Sequence, residues 1–128
     1  MNPDALEFLR TGALDGIRVG APLDAALRAL GDTGDRAQVD PRTEILRYQV
    51  RELTVTDGRV AAITVTDVDG DTTPQEVGAL LLDAGIDWGV ERELTFDKQL
   101  CLRADNGVLA LFNLERGTLQ RLLSEAVP

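Results

Sequence analysis

The segment RELTVTDGRVAAITV, residues 51–65, restricts the possible folds of this chain more than any other stretch. Two runs of alternating apolar and polar residues flank Asp57-Gly58. The tight turns that join paired antiparallel strands need positive φ at their centre, and Asp-Gly supplies it, so the segment is predicted to be a β-hairpin. Leu53 and Val55 fall on one face of the first strand, with Val60, Ala62, Ile63 and Val65 as apolar choices on its partner. The preceding EILRYQV, residues 44–50, has the same period and puts Tyr48 on a face with Leu46 and Val50, which favours burial of its ring.

Helical signals precede and follow this hairpin. Asn2 as N-cap, Pro3 in the first turn and Asp4 open a helix with Leu6, Phe8 and Leu9 on its buried side, ending near Gly12. Pro22 opens a second, in which Leu23, Ala26, Leu27 and Leu30 form one stripe and Gly31 supplies the stop. Residues 32–41 are polar, contain Gly and Pro and lack periodicity, so they read as a loop. The acidic linker DVDGDTTP, residues 67–74, leads into a third helix announced by Thr73, Pro74 and Glu76, with Val77, Leu80, Leu81 and Ala84 as its stripe and Gly85 at its end. Strands are then expected in RELTF, QLCLRAD and VLALFNL, with Asn106-Gly107 as a hairpin turn, and a last helix is expected over residues 116–126 on the spacing of Leu119, Leu122 and Leu123.

The two halves of the chain look alike. The stretch from Asp57-Gly58 matches that from Asn106-Gly107 at a constant offset of 49, and helix 23–31 matches helix 77–85 at an offset of 54. The expected fold is therefore α+β, one domain over residues 1–128. It would comprise two pseudo-repeats of helix plus antiparallel meander, about 13–66 and 72–115, that form one sheet with helices packed on one face. A length of 128 residues suits one such core, and a hydrophobic content of 44% is enough to fill it.

Composition narrows the chemistry. The chain has no histidine and a single cysteine, which excludes Ser-His-Asp and Cys-His sites, zinc clusters and an internal disulfide. Cys101 lies among apolar neighbours on a strand pattern and reads as core. Neither GxGxxG nor GxxxxGK[ST] occurs, so the common phosphate-cradling loops are missing. Asp67, Asp69 and Asp71 alternate near a glycine as a calcium loop would require, but the glycine comes at loop position four and position twelve is Gly78. A solvated acidic linker that caps the next helix is the simpler reading. No metal or cofactor is implied, and no carboxylate pair among the 22 acids stands out as catalytic, so the chain reads as a non-enzyme.

The 22 acids face 13 basic residues, for a net charge of −9, which repels nucleic-acid phosphates and anionic lipid and complements a basic protein partner. Trp88, set between Asp87 and Glu91 after a helix stop, is a candidate contact residue, because tryptophan is enriched among interface hot spots. The opening MNPDALEFLR carries no secretory pattern and no apolar run is long enough to span a bilayer, so a cytoplasmic location without membrane association is expected.

The succession IRVGAPLDAALRALGD, residues 17–32, then ILRYQVRELTVTDGRVAAITV, residues 45–65, resembles small bacterial immunity proteins of polymorphic-toxin systems. In these a helix ending in Leu-Gly precedes a Tyr-containing strand, an L-x-V strand and a D-G-x-V-x-x-I hairpin. The helix-then-meander order is also similar to that of the β-lactamase inhibitory protein fold. The resemblance implies a protein that neutralises a basic cognate toxin, such as one that targets nucleic acid, by covering its active site or substrate groove. Under that reading Asp67, Asp69, Asp71, Asp87, Trp88 and Glu91 are the expected contacts. The alternative is an interaction or scaffold module without inhibitory action. A carboxylate-based or metal-dependent enzyme is a third reading, which would need acids converging in a pocket.

Overall fold

The structure, a computed structural model, describes residues 1–66, 68 and 70–125. Helix α1 (Pro3–Thr11) starts where Asn2 accepts a hydrogen bond from the Ala5 amide at 2.8 Å, and it stops at Gly12, whose φ of +73° turns the chain out of the helix. It buries Ala5, Phe8 and Leu9. Helix α2 (Leu23–Leu30) has no side-chain cap. Its first amide instead donates to the Gly58 carbonyl at 2.8 Å, and Val60 donates to Ala21 at 2.8 Å, so the tip of the predicted hairpin holds the start of α2.

Four strands follow in a meander: β1 (Arg36–Asp40), β2 (Thr43–Tyr48), β3 (Arg51–Thr56) and β4 (Arg59–Val65). Helix α3 (Pro74–Asp83) then precedes a second meander of β5 (Trp88–Val90), β6 (Gln99–Ala104), β7 (Leu109–Asn113) and β8 (Thr118–Glu125). The last strands of the two meanders pair antiparallel, giving one eight-stranded sheet in the order β1-β2-β3-β4-β8-β7-β6-β5. Residues from all three helices join one core on one face of this sheet, around Phe8, Ala26, Leu53, Ile63, Leu81 and Phe112. A smaller cluster of Cys101, Leu109 and Leu111 sits on the opposite face of the second meander. The fold is α+β with its helices on one face, and no helix among the described residues is long and apolar enough to cross a membrane.

Three sequence expectations are corrected. Part of the expected loop 32–41 is strand β1, a segment with little apolar signal of its own. Pairing with β2 and the Arg36–Glu44 ion pair at 2.6 Å supply what its sequence lacks. RELTF contains a single 3₁₀ turn, Arg92–Leu94, and the edge strand lies just upstream in what reads as a loop. The expected helix at 116–126 is strand β8, so the second meander extends past residue 115 to Glu125.

A bulge explains the misleading spacing in β8. Arg121 pairs with Leu111 and Leu119 with Phe112, so Gln120 is an extra residue, and it brings Leu119 and Leu122 to the same face three positions apart. The same device operates in β4, where Ala61 is extra and Val60 and Ile63 are both buried. Two helices, α1 and α2, precede the first meander and α3 alone precedes the second, and the residue match at offset 49 does not follow the strand order. Asp57-Gly58 joins the third and fourth strands of its meander, whereas Asn106-Gly107 joins the second and third of the other.

Turn geometry agrees with residue type at two of the hairpins. Asp57 and Gly58 have φ of +52° and +75°, the pair of positive values that their turn requires. Asn106-Gly107 lies in a longer loop, in which the Gly107 amide donates to Ala104 at 2.9 Å and Gly107 alone has positive φ. The two-residue turn between β2 and β3 differs, because Gln49 holds φ +65° at a position that favours glycine. Left-handed φ costs a side-chain-bearing residue roughly 1–2 kcal/mol, and glycine's extra unfolded entropy returns about 0.4–1 kcal/mol. Gln49→Gly is therefore expected to stabilise the fold by about 0.5–1 kcal/mol, read as a higher urea midpoint at unchanged slope. A lower midpoint would show that the Gln49 side chain contributes more than its backbone costs.

Candidate functional site

The described end of the acidic linker and the tryptophan loop meet along one side of the molecule, where α3 lies over the β5 edge. The buried Thr72 carbonyl accepts from the Leu119 amide at 2.7 Å, which fixes the approach to α3 against β8. Thr73 then caps the helix by accepting from the Glu76 amide at 3.2 Å, with Pro74 in the first turn. At the far end Gly85, at φ +73°, and a hydrogen bond from the Ile86 amide to Leu81 at 2.8 Å reverse the chain into β5.

Gly78, in the middle of α3, decides how closely β5 approaches. A Cβ on Gly78 would stand 2.8 Å from Cζ2 of Trp88, so the indole rests directly on the helix backbone. Trp88 is seated on one side yet 40% exposed on the other, and Val90, two residues along and on the same face, is 53% exposed. Together with Pro74, Gln75, Leu100 and Leu102 they line an open groove of about 230 Å³ whose walls, Gln75 apart, are apolar.

The register of β5 also defines its free edge. Asp105 donates to the Asp87 carbonyl and Glu91 donates to the Cys101 carbonyl, both at 2.9 Å, which places residues 87, 89 and 91 in hydrogen-bonded positions with β6. Trp88 and Val90 alternate with them, so their N–H and C=O groups point away from the sheet.

The expected contact residues divide accordingly. Trp88 lines the groove, Asp87 immediately precedes β5, and Asp71 lies exposed on the approach to α3, three residues before Pro74. Asp67 and Asp69 lie outside the described residues. Glu91 is on the opposite face from Trp88, where it accepts a hydrogen bond from Arg103. That bond and the Arg103 charge hold its carboxyl below the usual range. Val90, Pro74 and Leu100 were not expected from the sequence. The alternation of Trp88 and Val90 about Gly89 carries the only local signal for this strip, and three residues are too few to read as a strand.

On the far face of β6, Cys101 is fully buried. Burial first, then the nearby Glu91 charge, pushes its thiol up to about 11. This is the environment of a core cysteine, not of a nucleophile. Among the described residues no three His, Cys, Asp or Glu side chains are grouped to hold a metal ion. No protein-family model matches the chain, and no curated protein or solved structure matches it.

Two outcomes are expected. Gly78→Ala must displace the indole, but it also gains up to about 1 kcal/mol of helix propensity, and the tip of a partly exposed ring can yield. The variant should keep its melting temperature within a few degrees while the emission of Trp88 shifts; unchanged emission would contradict the close contact. Cys101 should resist a disulfide reagent at pH 8 in the native protein and react at once in urea. The stability contributed by its neutral thiol is complete below an unfolded value near 9 and is lost as pH rises toward 11.

Proposed function

We propose that this protein is an immunity-type inhibitor that binds a cationic bacterial toxin and covers its active site or substrate groove, with the α3–β5 side as its contact surface. The observation that carries this reading is the partly exposed apolar strip of Trp88 and Val90, carried by an acidic segment of the chain. Residues 71–93 contain six acids, Asp71, Glu76, Asp83, Asp87, Glu91 and Glu93, against the single base Arg92. A half-exposed tryptophan in a preformed apolar groove has the character of a binding hot spot, and an excess of acids in the segment that carries it speeds encounter with a basic partner and disfavours acidic ones. Anchorage of Trp88 on Gly78 leaves little side-chain freedom to be lost on association. The sequence resemblance to immunity proteins points the same way. A non-inhibitory interaction module would use the same surface, and the two readings part on whether binding protects a cell.

The test begins with the adjacent gene. An immunity gene should follow one that encodes a large secreted protein with a variable C-terminal toxin domain. Co-expression with that domain should restore growth, and the two chains should co-purify. Trp88→Ala combined with Asp71→Lys and Asp87→Lys should lower affinity on the order of 100-fold or more, with an unchanged melting profile. Affinity of the unaltered chain should fall as salt rises from low to physiological. Full protection by the triple variant would remove this surface from the proposal, and binding without protection would favour the interaction module.

A further inference from the structure

The sheet has two edges, and they are built differently. Strand β1 carries Arg36, Gln38 and Asp40, is interrupted by a bulge between Gln38 and Asp40, and has the Gln38 amide folded onto the Asp40 carbonyl at 2.6 Å. Charges and bulges of this kind discourage further strand pairing. Strand β5 reads Trp-Gly-Val, with no charge, no proline and no bulge, and presents the outward N–H and C=O groups of Trp88 and Val90 beside the apolar groove. Within the strand itself nothing but its shortness discourages further pairing.

From this juxtaposition we infer that β5 receives an extended, cationic segment of a partner protein as a ninth strand, with an apolar side chain of that segment in the groove beside Trp88 and its basic residues against the acidic flanks. The inference rests on the reading of the α3–β5 side as a protein-binding surface and specifies how that surface binds. Strand addition suits the geometry because main-chain pairing supplies affinity and a pocket beside the edge selects alternate side chains. The flanking charge selects the occupant. In an antiparallel pairing of β5 with β5 of a second copy centred on Gly89, Asp87 of each chain would stand opposite Glu91 of the other, and each chain carries a net charge of −9. Like charges placed opposite one another disfavour that pairing, whereas lysine or arginine at those positions is complementary.

Trp88 is the only tryptophan, so its fluorescence reports on this site in the intact chain. The probe is a short peptide alternating lysine and valine, titrated at low ionic strength. A saturable shift of Trp88 emission is expected, with on the order of tenfold or greater weakening when alternate peptide amides are N-methylated and a comparable loss for a glutamate–valine peptide. Val90→Pro removes an outward N–H without breaking a bond to β6, so it should weaken the lysine–valine peptide by a similar factor and leave the circular dichroism spectrum unchanged. Equal binding of the N-methylated peptide, which needs no change in the protein, would overturn strand addition. Concentration-dependent dimerisation abolished by Val90→Pro would also overturn the inference and assign the edge to a second copy. Measured against the candidate toxin, binding that survives Val90→Pro but not Trp88→Ala refutes strand addition alone, and binding that survives both refutes the proposed surface.

Discussion

The antiparallel ladder between β4 and β8 holds the rest of the structure together. Among the described residues its four pairs, from Ala62 with Glu125 to Val65 with Leu122, are the sole strand pairing between the two meanders. Because of it the helices do not cap two separate small sheets. Phe8, Ala26 and Leu81, from three different helices, pack into one core with Ile63 of β4 and Leu122 of β8. Two four-stranded sheets with one helical layer each would bury a smaller fraction of their surface and be marginal against the cost of ordering their chains. Joined, they share a core, and two of the four edges that separate sheets would expose become internal.

The strand that makes this join bears a bulge, and so does β4 opposite it. A bulge re-aims side chains by one position and increases local twist. In both strands the apolar residues are therefore three apart on the covered face, and the residues between them turn outward. That geometry lets the helix-facing side be almost wholly aliphatic, with Phe8 and Phe112 as its only buried aromatic rings. The outer face keeps the small Cys101, Leu109 and Leu111 cluster under the second meander alone, packed against Leu94 from the 3₁₀ turn.

Closing the middle of the sheet leaves two unlike margins. The edge at β1 is charged and bulged. The edge at β5 is apolar, lies beside a groove, and belongs to the most acidic part of the chain. Its character depends on one residue without a side chain: Gly78 lets the indole of Trp88 lie on the α3 backbone, which leaves the ring both fixed and partly open to solvent. Glu91 and Arg103 pair on the reverse side, so the strand is held by charge on one face and offers apolar surface on the other.

Local chemistry is what the sequence by itself determined. Caps at Asn2 and Thr73, stops at Gly12, Gly31 and Gly85, and the Asp57-Gly58 turn act within a few residues, so their effect is written where they stand. Trp88 and its acidic neighbours could be singled out from the sequence as candidate contacts because residue type and charge are local properties. Strands β1, β5 and β8 were not legible, because each is made by pairing. Strand β1 has almost no apolar pattern, β5 is three residues long, and the bulge in β8 gives Leu119 and Leu122 the spacing of a helix. The groove needed the tertiary structure too, since Pro74, Trp88 and Leu100 are brought together only when α3 crosses the sheet. Short-range hydrogen bonds and backbone sterics can be read along a chain, whereas a strand's partner, and the face it then presents, depends on residues tens of positions away.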